Sequence, residues 1–396
     1  MITNTATGAC DAALIDDNDI MVGFECLNPS TCQRPLSLGS TASTTIIPID
    51  ASNTINYAPV TLDFGPDDDS TAIVVMNYSD AGAIRLHAEH TFENGTIISG
   101  ISNSFVVRPD SYLITLSDCE NDNEDCTADS ANHENIYKKA GEPFTVTVTA
   151  RSFDGSTTPN FGNESSPSVT VDLNRLLARP NNVDDGFTGV PGMLNGTWSN
   201  HIDNSGRFSG DYSFNEVGII DLTASIDYLG AGTVKTTLSS IGRFTPASLL
   251  LTVINDGTFI SANTDGALNF TYVGQPFSYD PADRPSLRVT ALNASSPATL
   301  TSNYSGAWGK LNADSIELTE PTSDEIQHGT AVSTRMALAY VQDPEGFRDP
   351  TITANPPAAV NGIFDAAFTN DQFTYDKDSN SQISPFTPNV NLIITK

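Results

Sequence analysis

Side chains able to do chemistry are few and scattered along this chain. The run Asp376-Lys-Asp378-Ser-Asn380-Ser-Gln382 places oxygen-bearing side chains at alternate positions. That is the pattern of the first half of a calcium loop, since calcium is a hard ion ligated by carboxylate and amide oxygens. Ser381 stands where an EF-hand has its turn glycine, and Thr387 where it has the bidentate Glu. Asp376, Asp378, Asn380 and Gln382 are therefore a calcium candidate set weighed against an ordinary polar hairpin loop. The acidic loops Asp67-Asp68-Asp69 and Asp118 to Asp125 are weaker candidates of the same kind. His87 and His90, three residues apart, would share a metal on a helix but point to opposite faces of a strand. Trp198 and Trp308 lie beside glycines in GTWSN and GAWGK. Sugar stacking is one use for such an indole, but its large apolar area is expected in a sandwich core.

Motifs for catalysis are missing: the sequence holds no GxSxG elbow, no phosphate loop of the GxxxxGK[ST] type, no HExxH and no GxGxxG, so neither a catalytic residue nor a bound cofactor other than calcium is expected. Four of the five cysteines form two close pairs, Cys26 with Cys32 and Cys119 with Cys126. Neither pair has CxxC spacing, so local disulfides made in an oxidising compartment fit better than a metal knuckle or a redox site. The pairs are expected in polar loops, with Cys10 unpaired.

Strands must carry these residues. Phe144, Val146, Val148 and Ala150 alternate with threonines, which gives an apolar row on one face and hydroxyls on the other. Ile84 to Ala88, Ile220 to Ala224 and Leu249 to Val253 read the same way. Leu173 to Ala178 alone suggests a helical turn, stopped by Pro180. No apolar run is long enough to span a bilayer. With 18 basic against 48 acidic residues the formal charge is −30, which repels phosphates and excludes nucleic acid as an expected partner.

Internal repetition gives the domain plan. YSDAGAIRLHA, from Tyr78, is matched by FNEVGIIDLTA, from Phe214, so that Gly82 aligns with Gly218, and Pro-marked phrases follow at Pro109 and Pro246. AGEPFTVTVTA, from Ala140, is echoed by VGQPF and LRVTA, and Asn160-Phe161 by Asn303-Tyr304. A unit of this length is too long for a solenoid turn and suits a sandwich with long loops. The expected fold is all-β, three tandem immunoglobulin-like antiparallel sandwiches over residues 1–110, 111–246 and 247–396, arranged as an elongated rod. The Pro residues suit strand edges leaving one sandwich for the next.

Taken in order, FECLNPSTC, YSDAGAIRLHA, FVVRP, KKAGEPFTVTVTA, IGRFTP, TYVGQPF and NYSGAWGKL resemble the MshQ-like proteins of mannose-sensitive haemagglutinin pilus operons, over most of residues 20–310. The resemblance implies an exported bacterial protein associated with a type IV pilus, in which a lectin-like domain often precedes this region. On that basis the sequence reads as a middle excerpt of a non-enzymatic cell-surface stalk or adhesin. Its expected partners are pilus or cell-surface proteins, and glycans reached through a domain outside this chain, without membrane insertion. The alternatives are a carbohydrate- or protein-binding module, accessory sandwiches of a secreted enzyme, or a strand-donating filament subunit.

Overall fold

The computed structural model describes most of residues 14–313, leaving out 15, 40–43, 50–54, 65–70, 120, 203–204, 266–267 and 273. It also describes 351–354, 358–369, 372–377 and a few short strand pairs elsewhere. The chain is all-β, with tandem immunoglobulin-like units built from antiparallel sheets. In the first unit the strands are β1 (Asp16–Asn28), β2 (Leu36–Gly39), β3 (Thr44–Ile47), β4 (Ala58–Phe64), β5 (Val75–Tyr78), β6 (Gly82–Thr91), β7 (Ile97–Ile101) and β8 (Phe105–Val107). One sheet runs β8-β6-β1-β4 with β7 also paired to β6, and the other runs β3-β2-β5. Val22, Phe24, Leu36, Leu38 and Ile84 are buried between them.

The second unit holds β9 (Ser111–Leu116), β10 (Lys138–Lys139), β11 (Pro143–Arg151), β12 (Asp172–Arg179), β13 (Leu194–Ile202), β14 (Arg207–Phe214), β15 (Gly218–Asp227) and β16 (Thr233–Thr245). Its sheets are β9-β11-β14-β13 and β10-β16-β15-β12, with the two-residue β10 parallel to β16. The alternation in β11 has its expected effect. Phe144, Val146, Val148 and Ala150 are buried, while on the outer face the Thr145 hydroxyl donates to Asp211 at 2.6 Å. Tyr212, Gly210 and Phe208 of β14 lie opposite that buried row, and such cross-strand pairs are what hold a sheet in register.

The segment Leu173 to Ala178 is not helical. It lies within β12, paired antiparallel with β15 from Asp172–Ser225 to Arg179–Ile219. Leu173 and Leu177 fall on the face packed against the core, so a two-residue period wins over local helix propensity once a partner strand is present.

In the third unit β17 (Ser248–Asn255), β18 (Ser286–Leu292), β19 (Thr351–Ala354) and β20 (Ile363–Thr369) form a sheet of order β17-β18-β20-β19. The links between units are short. Arg108, Pro109 and Asp110 separate β8 from β9, and Pro246 and Ala247 separate β16 from β17. Apolar packing crosses both links: Ala81 and Val106 pack into the second unit's core, and one cluster joins Val217 and Ile219 to Leu287, Val289, Trp308 and Phe364.

Candidate functional site at the domain junctions

At the first junction, Asp80 sits in the turn between β5 and β6 and is only 1% exposed. Its Oδ1 accepts the N–H of Ala81 at 2.9 Å and, from the second unit, that of Asn160 at 2.8 Å. Asn160 is fixed in turn because Phe161 donates its N–H to the Thr158 carbonyl at 3.1 Å and stacks its ring on Tyr228 in the second core. The Tyr228 hydroxyl donates to Glu164, which also accepts the Gly162 N–H at 2.7 Å. Burial, the largest influence on each, raises the Glu164 carboxyl above the usual carboxylate range and pushes Asp80 up to about 6. A second bridge is made by Asn28, whose amide oxygen accepts the Ser165 N–H at 3.0 Å and whose Nδ2 donates to the Ser166 carbonyl at 3.1 Å.

The second junction repeats the device. Glu216, buried in the turn between β14 and β15, accepts the N–H groups of Val217 and Asn303 on Oε1, at 2.9 and 3.0 Å, and that of Ser302 on Oε2 at 3.0 Å. Asn303 completes the clasp. Its Nδ2 donates to the carbonyls of Val190 and Val217, each at 3.0 Å, and its Oδ1 accepts the Val190 N–H at 2.7 Å. Around it the Trp308 indole donates to Asp185 at 3.0 Å, and Ala294 donates its N–H to the Ala140 carbonyl at 2.8 Å. Burial raises the Glu216 carboxyl as well.

Each clasp is thus an acid at the end of one unit holding the backbone of an Asn-aromatic turn in the next. Two residues after each clasping acid stands a glycine, for a physical reason. Gly82 and Gly218 have φ of +140° and +145°, and a Cβ would lie 2.9 Å from the Asn28 carbonyl oxygen and 2.3 Å from that of Arg179. The two clasps differ in completeness. Glutamate's extra methylene lets Glu216 engage both oxygens, whereas Asp80 Oδ2 has no hydrogen-bond partner among the described residues. Repetition marked Gly82, Gly218, Asn160 and Asn303 in the sequence. Their acidic partners Asp80 and Glu216 were missed, although each stands two residues before a repeated glycine.

The residues singled out by sequence lie elsewhere. Cys26 is disulfide-bonded to Cys32 and Cys119 to Cys126, with S–S distances of 2.01 and 1.96 Å. Cys26 lies within strand β1 and is buried, and Cys126 closes a short 3-10 helix, Asn121–Cys126, so the first pair is anchored in a sheet rather than a polar loop. Cys10 belongs to a two-residue strand whose side chains lie outside the described residues. Asp376 is the next-to-last residue of a strand, Phe373–Lys377, and is paired with Ala337. Asp378, Asn380 and Gln382 lie outside the described residues, as do Asp67, Asp68 and Asp69. His87 and His90 are both on β6. The first contacts Glu25 at 3.1 Å and the second the Asp19 carbonyl at 3.1 Å. Among the described residues no group of three or more His, Cys, Asp or Glu is placed to hold a metal ion. Trp308 is 4% exposed, and Trp198, half-buried against Tyr212, donates its indole N–H to the Val171 carbonyl at 2.6 Å.

Fold and junctions together define a chain of tandem immunoglobulin-like domains joined by short, hydrogen-bonded links. Three family matches follow one another along it. Residues 1–101 match the domain of unknown function DUF6701, first Ig-like domain, residues 109–211 match the DUF6701 second domain, and residues 216–395 match its third domain. The chain belongs to this three-domain DUF6701 family. The second match ends at 211, but the sheets keep β15 and β16 with the second unit. No curated protein matches the chain. Among solved structures it is similar to FdeC, a broadly conserved Escherichia coli adhesin, at 13% identity over 96% of this chain and 93% of that one. The TM-score is 0.24, a likeness too slight to decide anything about function.

Proposed function

We propose that this chain is a non-enzymatic extracellular stalk in a bacterial surface protein associated with a type IV pilus, and that it works by holding a binding domain away from the cell. The observation that carries the reading is the repeated clasp. Linkers of two or three residues with proline, an apolar seam and a buried acid gripping the next unit's backbone leave little freedom for one sandwich to swing on another. A binding module has no need to build the same joint twice, whereas a spacer does. The two disulfides support an exported location, and the phrases shared with MshQ-like proteins supply the pilus association.

The test is a domain exchange in the parent protein. Deleting these three units should weaken surface attachment while leaving the cell's enzymatic activities unchanged, and an unrelated rigid rod of similar length should restore it. Failure of the rod to restore attachment, with the chimera displayed at normal levels, would refute the stalk reading.

A further inference from the structure

Beside the first clasp lies a cleft of about 270 Å³ between the first and second units. Its walls include Asn77, Ser79, Arg108, Asp110, Phe153 and Asp154. Phe153 is 92% exposed, an unusual placement for a phenyl ring, which ordinarily goes to the core. Nor does it hang on a loose loop. Ser152 and Ser156 pair across the turn at 2.9 Å, Gly155 donates back to the Ser152 carbonyl at 2.9 Å, and Arg151 donates to the Gly155 carbonyl at 2.8 Å. Asp154 locks the tip by accepting the Ser152 hydroxyl at 2.6 Å and the Ser156 N–H at 2.9 Å on Oδ1. Those bonds, with the Ser152 hydroxyl foremost, hold its carboxyl down to about 2. Ser79 reaches from the first unit to Asp154 Oδ2 at 3.4 Å. The turn therefore holds the Phe153 backbone at a fixed place on the rim.

The polar groups around the ring select the ligand. An anion would face Asp110 and Asp154. A cation would meet Arg108, which donates one N–H to the Thr233 carbonyl at 3.0 Å and pairs with no carboxylate among the described residues. Donors and acceptors set close together around an aromatic face suit a neutral molecule with hydroxyls that both give and accept hydrogen bonds and a flat C–H face for the ring. We propose that this cleft binds a neutral saccharide, one pyranose ring resting on Phe153 while its hydroxyls bond to Arg108, Asp110 and Asp154. The site is independent of the stalk reading, since a spacer with or without it keeps its length.

Saturation-transfer NMR and titration of the full chain test the proposal, with cellotetraose, maltotetraose and N-acetyllactosamine as neutral probes, glucosamine tetramer as a cationic one and sialyllactose as an anionic one. At least one neutral probe should bind at ~10 mM or below, the weak range of single-ring sites. Phe153→Ala should weaken that binding about tenfold or more, Phe153→Trp should retain it, and the melting temperature should stay unchanged in both because the ring is exposed. Silence from all three neutral probes, binding confined to a charged probe, or undiminished binding to Phe153→Ala would each overturn the proposal.

Discussion

Replacing Glu216 with alanine probes the second clasp where its geometry is complete. The substitution removes the acceptor for three backbone N–H groups, those of Val217, Ser302 and Asn303, and the last belongs to a residue that is 1% exposed. The Asn303 side chain cannot stand in as acceptor, because its amide is already engaged with Val190 and Val217. A buried donor left without a partner costs about 1–3 kcal/mol. Three at the low end give about 3 kcal/mol, and relief of the buried charge offsets only part of any larger figure. Hydrogen exchange on the full chain reads this amide by amide. Opening of the junction should become ~100-fold more frequent, since each 1.4 kcal/mol is a factor of ten, and the Ser302 and Asn303 amides should show it while those of β11, deep in the second core, keep their protection. Protection of Ser302 and Asn303 within about twofold of the wild type would refute the reasoning, because the carboxylate would then not be what holds that turn.

Three further outcomes follow from the same geometry. Asp80 has a folded-state value near 6, above its ordinary one, so its contribution to stability is complete at pH below about 4 and is lost as pH rises through 6. The junction-linked melting transition should fall between about pH 4 and 6.5, by up to about 3 kcal/mol in total over the full titration, and Asp80→Asn should flatten that slope; an unchanged slope contradicts the assignment. Gly218→Ala should destabilise the chain by at least ~2 kcal/mol in denaturant melts, since both the positive φ and the Arg179 carbonyl oppose a methyl group, and a neutral result would count against the turn geometry. Replacing Cys119 and Cys126 together by serine should cost about 2.5 kcal/mol through the lost constraint on the unfolded loop, measurable as a lower melting temperature in non-reducing buffer, and an unchanged melting temperature would contradict it.

Strands were the most legible part of the sequence. Phe144 to Ala150 carried its burial in plain alternation, and the repeated phrases at Tyr78 and Phe214 marked the turns that meet the following unit. Leu173 to Ala178 misled because leucine, arginine and alanine favour helix locally, and only the partner strand β15, some 45 residues away in sequence, decides otherwise. The clasps were half legible: a glycine with positive φ and a paired Asn-aromatic turn repeat visibly, but an acid beside a turn reads as ordinary surface until the fold buries it. Phe153 was invisible for the opposite reason. A lone phenylalanine in FDGS looks like core to any sequence argument, and its exposure comes from the tightness of the turn that carries it. The oxygens from Asp376 onward were the most conspicuous chemistry in the sequence, yet what organises the described structure is the pair of buried acids at its joints.

The claim that these units form a stiff spacer is tested most directly by small-angle X-ray scattering of the full chain beside an Asp80→Ala/Glu216→Ala variant. Sandwiches built on strands of about ten residues stand roughly 35 Å tall, so three end to end extend about 100 Å and give a radius of gyration near 30 Å, against the ~21 Å of a compact globule of this length. The account predicts the larger value for the wild type, with a scattering profile of fixed shape, and a broadened distribution of dimensions for the variant. A wild-type radius near 21 Å, or a variant indistinguishable from it, would contradict the account.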